Sequence, residues 1–160
     1  LLPFNRRRDV LILMAYAVAM VVCTPIAAAL ATTRERMESL VGAGLLISGS
    51  GGALMLLNAD VVSVFAATVL VGVGQSLSIS AQSALLREHC EAEVAAMGEP
   101  LVYGLYRLLE RLGNALGPLL AAVLVMTLGY KASFAVIGAL VMVCGIVFLL
   151  ATRKLNQKLV

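Results

Sequence analysis

Apolar residues run in five long stretches, at 10–31, 40–57, 61–86, 100–128 and 132–151, and most charged residues fall between them. A bilayer's hydrocarbon core is about 30 Å thick, so a spanning helix needs about 20 mostly apolar residues. Each stretch is that long or nearly so. A helix on the surface of a soluble protein keeps one polar face, and these stretches lack one over most of their length. The pattern predicts an all-α fold: a polytopic transmembrane helical bundle of five spans, with residues 1–160 forming a single transmembrane domain. A soluble bundle with an unusually apolar surface is the competing reading. The expected connections are 32–39 (TTRERMES), a tight turn at 58–60, a mostly acidic loop at 87–99 (REHCEAEVAAMGE), a tight turn at 129–131 and a basic tail at 153–160.

Composition strengthens this picture. The chain is 61% hydrophobic and has no tryptophan, and its mean hydropathy is +1.00. The net charge of +3 does not point to nucleic acid. The basic residues form short clusters between apolar runs, as topology signals do, and no polar stretch is long enough for a nucleic-acid module. Cys23, Cys90 and Cys144 are scattered. His89 and Cys90 are adjacent, but no second ligand pair follows, so neither a metal site nor a cofactor is implied. Arg6, Arg7 and Arg8 before an apolar run resemble a secretory signal. The run at 10–31 exceeds the usual signal core of about 7–15 residues, and four more spans follow, so it reads as a span. The chain starts at Leu1 rather than Met, which reads as a piece of a longer protein.

Five spans place alternate connections on opposite sides. Arg34, Arg36, Arg87, Arg153, Lys154 and Lys158 share one side, joined by Arg107 and Arg111 if these lie near that surface; Arg6, Arg7, Arg8 and Lys131 share the other. Basic excess marks the cytoplasmic side, which predicts a cytoplasmic C-terminus despite the arginine triplet opposite. Small residues recur every fourth position: Gly44, Ser48 and Gly52; Gly72, Ser76 and Ser80; Gly113 and Gly117. In lipid such residues let helix backbones approach closely.

Polar residues enter two of the spans. In the fourth, Tyr103, Arg107, Glu110, Arg111 and Asn114 step by three or four and share a face, with Arg107 and Glu110 spaced to pair. Charged groups at the bilayer centre are costly and should face protein or water. A structural ion pair near a helix end and a gate in a substrate pathway both satisfy that rule. In the third span, Gln75, Ser78 and Gln82 lie within about 60° on a helical wheel, widened by Ser76, Ser80 and Ser83. This face either lines a cavity or hydrogen-bonds between helices. Gln75 and Asn114 both sit near mid-span and are candidates for a common small-molecule site.

Two segments carry a family resemblance. In the fourth span, Gly104, Gly113, Gly117 and Pro118 read G-x8-G-x3-G-P, with Ala121 and Ala122 where further glycines are usual. The first connection, within PIAAALATTRERMESL, keeps Leu30, Ala31 and Arg36 of a G-x-L-A-D-R-x-G-R-R-like signature, with Thr32 in place of the aspartate and Glu35 in place of a glycine. The chain resembles the C-terminal portion of a major facilitator superfamily transporter, corresponding to the last five of twelve helices. The resemblance implies alternating access between two helical bundles around a midplane site, the other partner being an N-terminal helical half outside these residues. It implies that the first, third and fourth spans line the cavity and that the second and fifth are peripheral. It also implies the plasma (inner) membrane of a bacterium, an antiport or efflux role, and a glycine packing motif at Gly104, Gly113, Gly117 and Pro118. A membrane sensor or anchor built on the same fold is the second reading. An intramembrane enzyme would need a nucleophile–base pair or metal ligands within the spans, and none is visible.

Overall fold

The computed structural model describes the backbone of residues 6–57 and 61–158 and the side chains of residues 10–54 and 61–154. It is helical throughout: α1 Arg6–Leu30, α2 Arg34–Leu57, α3 Val61–His89, α4 Glu91–Met97, α5 Glu99–Leu128 and α6 Tyr130–Lys158. The turn expected at 58–60 and the side chains of Arg6, Arg7, Arg8 and Lys158 lie outside the described residues. Among the described residues, four helices are long and apolar enough to cross a membrane: α1, α3, α5 and α6. The stretch expected as the second of five spans forms α2, a 24-residue helix, and is not among the four. Its first turns carry Arg34, Glu35, Arg36 and Glu38, and its middle is rich in glycine and serine.

The helices outrun the apolar stretches. α1 takes in the arginine triplet, α2 starts six residues before the apolar run, and α6 continues through Arg153 and Lys154. Hydropathy marks the hydrocarbon, whereas backbone hydrogen bonding carries each helix on into the headgroup layer. The acidic 87–99 connection is also not a plain loop. Its middle folds into α4, a seven-residue helix with Glu91 and Glu93 in the first turn, where carboxylates complement the helix dipole. Gly98 and Gly129 close the two ends of α5 at φ 88° and 80°, a region L side chains rarely adopt.

Contacts run in one order: α1 against α3, α3 against α2, α2 against α6, and α6 only sparsely against α5. Within this chain α2 is the helix most enclosed by its neighbours. Its small residues explain this. One side of α2 sets Gly44 and Ser48 against Gly74 and Ser78 of α3: a Cβ on Gly74 would lie 2.7 Å from the Ser48 amide nitrogen, and one on Gly44 would lie 2.9 Å from that of Ser78. Ser78 Oγ then donates to the Val41 carbonyl at 3.2 Å. Another side of α2 meets α6, where a Cβ on Gly138 would come 2.7 Å from the Gly49 carbonyl oxygen and one on Gly52 would come 2.7 Å from that of Phe134. Without a hydrophobic drive between helices in lipid, such close backbone contact supplies the attraction.

At the Arg34 end of α2, a small apolar cluster of Val41, Ala81 and Leu85 is flanked by Met37, Leu40, Leu45 and Phe148. A polar clasp sits beside it. Arg34 Nε donates to Glu38 at 3.2 Å, and Arg34 Nη2 lies 2.9 Å from His89 Nε2. His89 Nδ1 lies 3.2 Å from the Leu85 carbonyl oxygen. Both contacts are satisfied by the tautomer with its proton on Nδ1.

Candidate functional site

The polar residues of α3 divide between two directions. Ser76 and Ser78 turn inward: both are buried, Ser76 Oγ donating to the Val73 carbonyl of its own helix at 2.7 Å and Ser78 to Val41 of α2. Ser78 thus belongs to the α2–α3 seam and not to an open face. Beside them on the wheel, Gln75 is exposed and Gln82 half-buried. The Tyr16 hydroxyl of α1 donates to Gln75 Oε1, and the Tyr106 hydroxyl of α5 donates to Gln82 Oε1 at 3.3 Å. This face of α3 is therefore met by a tyrosine of α1 at Gln75 and by a tyrosine of α5 at Gln82. Neither tyrosine was singled out from the sequence. Tyr106 lies three residues beyond Tyr103 on the turn that meets α3, a spacing visible only once the facing helix is known.

α5 differs from the other long helices. It is the one among them whose apolar and polar residues lie on clearly opposite sides, and none of its 30 residues is buried. Arg107 Nη1 donates to Glu110 Oε2 at 2.8 Å, the spacing expected from the sequence. Their side chains are 65% and 32% exposed. Arg111 and Asn114 are exposed. Pro118 has no N–H, so the Asn114 carbonyl, four residues back, loses its helical partner. The Asn114 position thus offers a side-chain amide and an unused backbone acceptor together. Gly104, Gly113 and Gly117 were expected to bring α5 close to a neighbour. Within this chain they do not: a Cβ at any of the three meets nothing within 4 Å. That face of α5 is open.

Two hollows flank this arrangement. One, an open hollow of about 660 Å³, is lined by Met37 of α2, Ser80, Ala84 and Arg87 of α3, Glu91 of α4 and Tyr103 of α5. Ser80 Oγ is buried there without a partner among the described residues. Arg87 lies beside Tyr103, with Glu99 nearby, a second polar approach of α5 to α3. The larger hollow, about 830 Å³, is an apolar groove between α1 and α3 lined by residues such as Val18, Val22, Phe65 and Val69. It carries no chemistry and offers a surface for apolar chains only. Among the described residues no group of His, Cys, Asp or Glu is arranged to hold a metal ion.

A family model described as Major Facilitator Superfamily matches residues 10–159, nearly the whole chain. The chain belongs to the major facilitator superfamily. No curated protein and no solved structure matches it. Members of this superfamily are membrane transporters rather than enzymes, and the apolar helices make this member an integral membrane protein. The polar face that α3 shares with Tyr16 and Tyr106 thus belongs to a major facilitator transporter chain, and the charged pair of α5 has a measurable signature. Exposed ion pairs contribute about 0.2–1 kcal/mol. A double-mutant cycle of Arg107→Ala and Glu110→Ala, read by thermal unfolding of the full-length protein, should give a coupling within that range. A coupling of several kcal/mol would place the pair in a dry environment.

Proposed function

We propose that this chain supplies the C-terminal part of a carrier that moves a small solute by alternating access, in an antiport or efflux direction. Its partner is a further helical half outside these residues. Gln75 and Gln82 of α3 and Asn114 of α5 face the solute. Arg107, Glu110 and Arg111 form a charge network at one end of the path. Gly104, Gly113, Gly117 and Pro118 take the close approach of the other half. The observation that carries this reading is α5: a membrane helix with its polar residues on one side, no buried residue, and a polar link to the Gln82 face of α3. A helix of that kind is favourable in lipid only beside water or beside further protein. The excess of basic residues favours the cytoplasmic side for the C-terminus and the Arg34 end of α2, and the membrane in this reading is the plasma membrane of a bacterium.

Alternating access exposes one set of residues to each side in turn. Single cysteines at Gln75 and Asn114, in an otherwise cysteine-free full-length protein, should react with an impermeant maleimide applied from either side of sealed vesicles. A cysteine at Glu35 should react from the cytoplasmic side only. Labelling of Gln75→Cys and Asn114→Cys from one side alone would favour a membrane sensor or anchor over a carrier.

A further inference from the structure

Gln75 and Gln82 stand seven residues apart on α3, which returns them to one face about 10.5 Å apart at 1.5 Å per residue. Each carboxamide oxygen is already engaged, one by Tyr16 of α1 and one by Tyr106 of α5. A carboxamide whose oxygen is held this way directs its NH2 group, with two donors, to the other side. Neither amide nitrogen has a partner among the described residues. Between them on the same face lies Ile79, 42% exposed. No Asp, Glu, Lys or Arg occurs in α3 from Val61 to Leu86 or in α1 from Val10 to Leu30. On α5, Arg107 and Glu110 are paired with each other, and Arg111 is exposed. Along α3 itself the sequence of chemistry from Gln75 to Gln82 is donor, apolar, donor, and neither α3 nor α1 adds a charge between them.

We propose that this face binds an uncharged, elongated solute that carries hydrogen-bond acceptors, such as carbonyl, ester or ether oxygens, at both ends of an apolar segment. The proposal rests on the carrier reading and names its substrate class. The amide N–H groups meet the two acceptors and Ile79 meets the apolar middle. Tyr16 and Tyr106 are positioning residues: by occupying the two carboxamide oxygens they fix which side of each amide the solute meets. A carboxylate held between the two amides would be desolvated with no cation on α1 or α3 to pair with. An ammonium would find its hydrogen atoms opposed to N–H donors.

The probes are the dimethyl esters of the linear dicarboxylic acids from succinate to sebacate. Their concentration-dependent shift of the unfolding midpoint is measured on the purified full-length protein in lipid nanodiscs. Affinity should peak where the two carbonyls match the amide spacing, at suberate to sebacate, and be about tenfold weaker for succinate, the loss of one hydrogen bond. Gln75→Leu and Gln82→Leu should each keep weak binding and lose the length optimum, since a single donor does not register chain length. Tyr16→Phe and Tyr106→Phe, which free an amide to turn over, should flatten it. Partitioning into lipid also rises with length, so a steady rise shared by the Gln75→Leu/Gln82→Leu double variant overturns the proposal. No stabilisation by any ester, or an optimum unchanged in both leucine variants, overturns it equally. The unaltered protein alone decides the length dependence if a variant does not fold. Two-sided labelling at Gln75→Cys with a flat ester series rejects the substrate class and keeps the carrier. One-sided labelling with a clear optimum does the reverse.

Discussion

Gly74→Leu should prevent the bundle from assembling, whereas Gly117→Leu should leave the packing of this chain intact. The two glycines look alike in the sequence, each in a membrane helix and each spaced from another small residue. Their surroundings are opposite. A Cβ on Gly74 would meet the Ser48 amide nitrogen at 2.7 Å, and the Gly44 carbonyl and Ser48 hydroxyl press on the same point. Two of these three are backbone atoms of α2, which cannot rotate aside, so α2 and α3 must separate. Overpacking a well-packed interior costs about 1–3 kcal/mol, and more where nothing can give. Here the seam also carries the Ser78–Val41 hydrogen bond, so the expected loss exceeds about 3 kcal/mol. At Gly117 nothing lies within 4 Å, and leucine would extend into open space. The measurement is the yield of monodisperse full-length protein together with its unfolding midpoint. Gly74→Leu should give aggregate. Gly117→Leu should give folded C-terminal helices, with any loss confined to the contact between α5 and the remaining half. Equal damage from both substitutions would mean that the α2–α3 contact is no tighter than the surroundings of α5.

This contrast shows what a sequence holds and what it does not. Five apolar stretches were enough to fix an all-helical membrane fold, because the hydrocarbon thickness sets the span length whatever the neighbours are. Small residues at every fourth position correctly marked Gly44 and Ser48 as packing positions. The same rule at Gly113 and Gly117 met an open face, since spacing records that a helix can be approached and not whether a partner in this chain approaches it. Gly74, Gly138 and Gly145 line seams without belonging to any four-residue repeat noted beforehand. The helices extend past the apolar stretches, because hydropathy is silent beyond the hydrocarbon. In the candidate site, the Arg107–Glu110 pair was legible because it depends on one helix alone. Ser78 was not, because the choice between seam and open face is made by α2. The tyrosines that hold Gln75 and Gln82 lie 59 and 24 residues away from them, and no periodicity along α3 could indicate them.

Loosening the two polar ties on the first half of α5 should let it swing away from α3 while the rest of the bundle stays in place. α5 and α3 share no close backbone approach. What joins them is the Tyr106 hydrogen bond to Gln82 at 3.3 Å and the electrostatic approach of Tyr103 to Arg87, one turn apart on α5. At either end of α5 the chain turns through a glycine of positive φ, Gly98 and Gly129, so the helix is connected by short joints rather than continuous with its neighbours. A hydrogen bond contributes about 0.5–1.5 kcal/mol net. In a helix with no buried residue that is a large share of what fixes its position, and removing both contacts should shift the closed-to-open ratio by about tenfold or more. Spin labels at Ser83 and Leu105 report the distance between α3 and α5; labels at Leu13 and Val62 report that between α1 and α3. All four positions are exposed in this chain, so the labels themselves disturb little. In full-length Tyr103→Phe/Tyr106→Phe, the first distance should broaden toward longer values and the second should stay unchanged. An unaltered Ser83–Leu105 distribution would show that α5 is held by contacts from outside this chain. Broadening of both distances would show that the tyrosines stabilise the whole bundle and do not tether one helix.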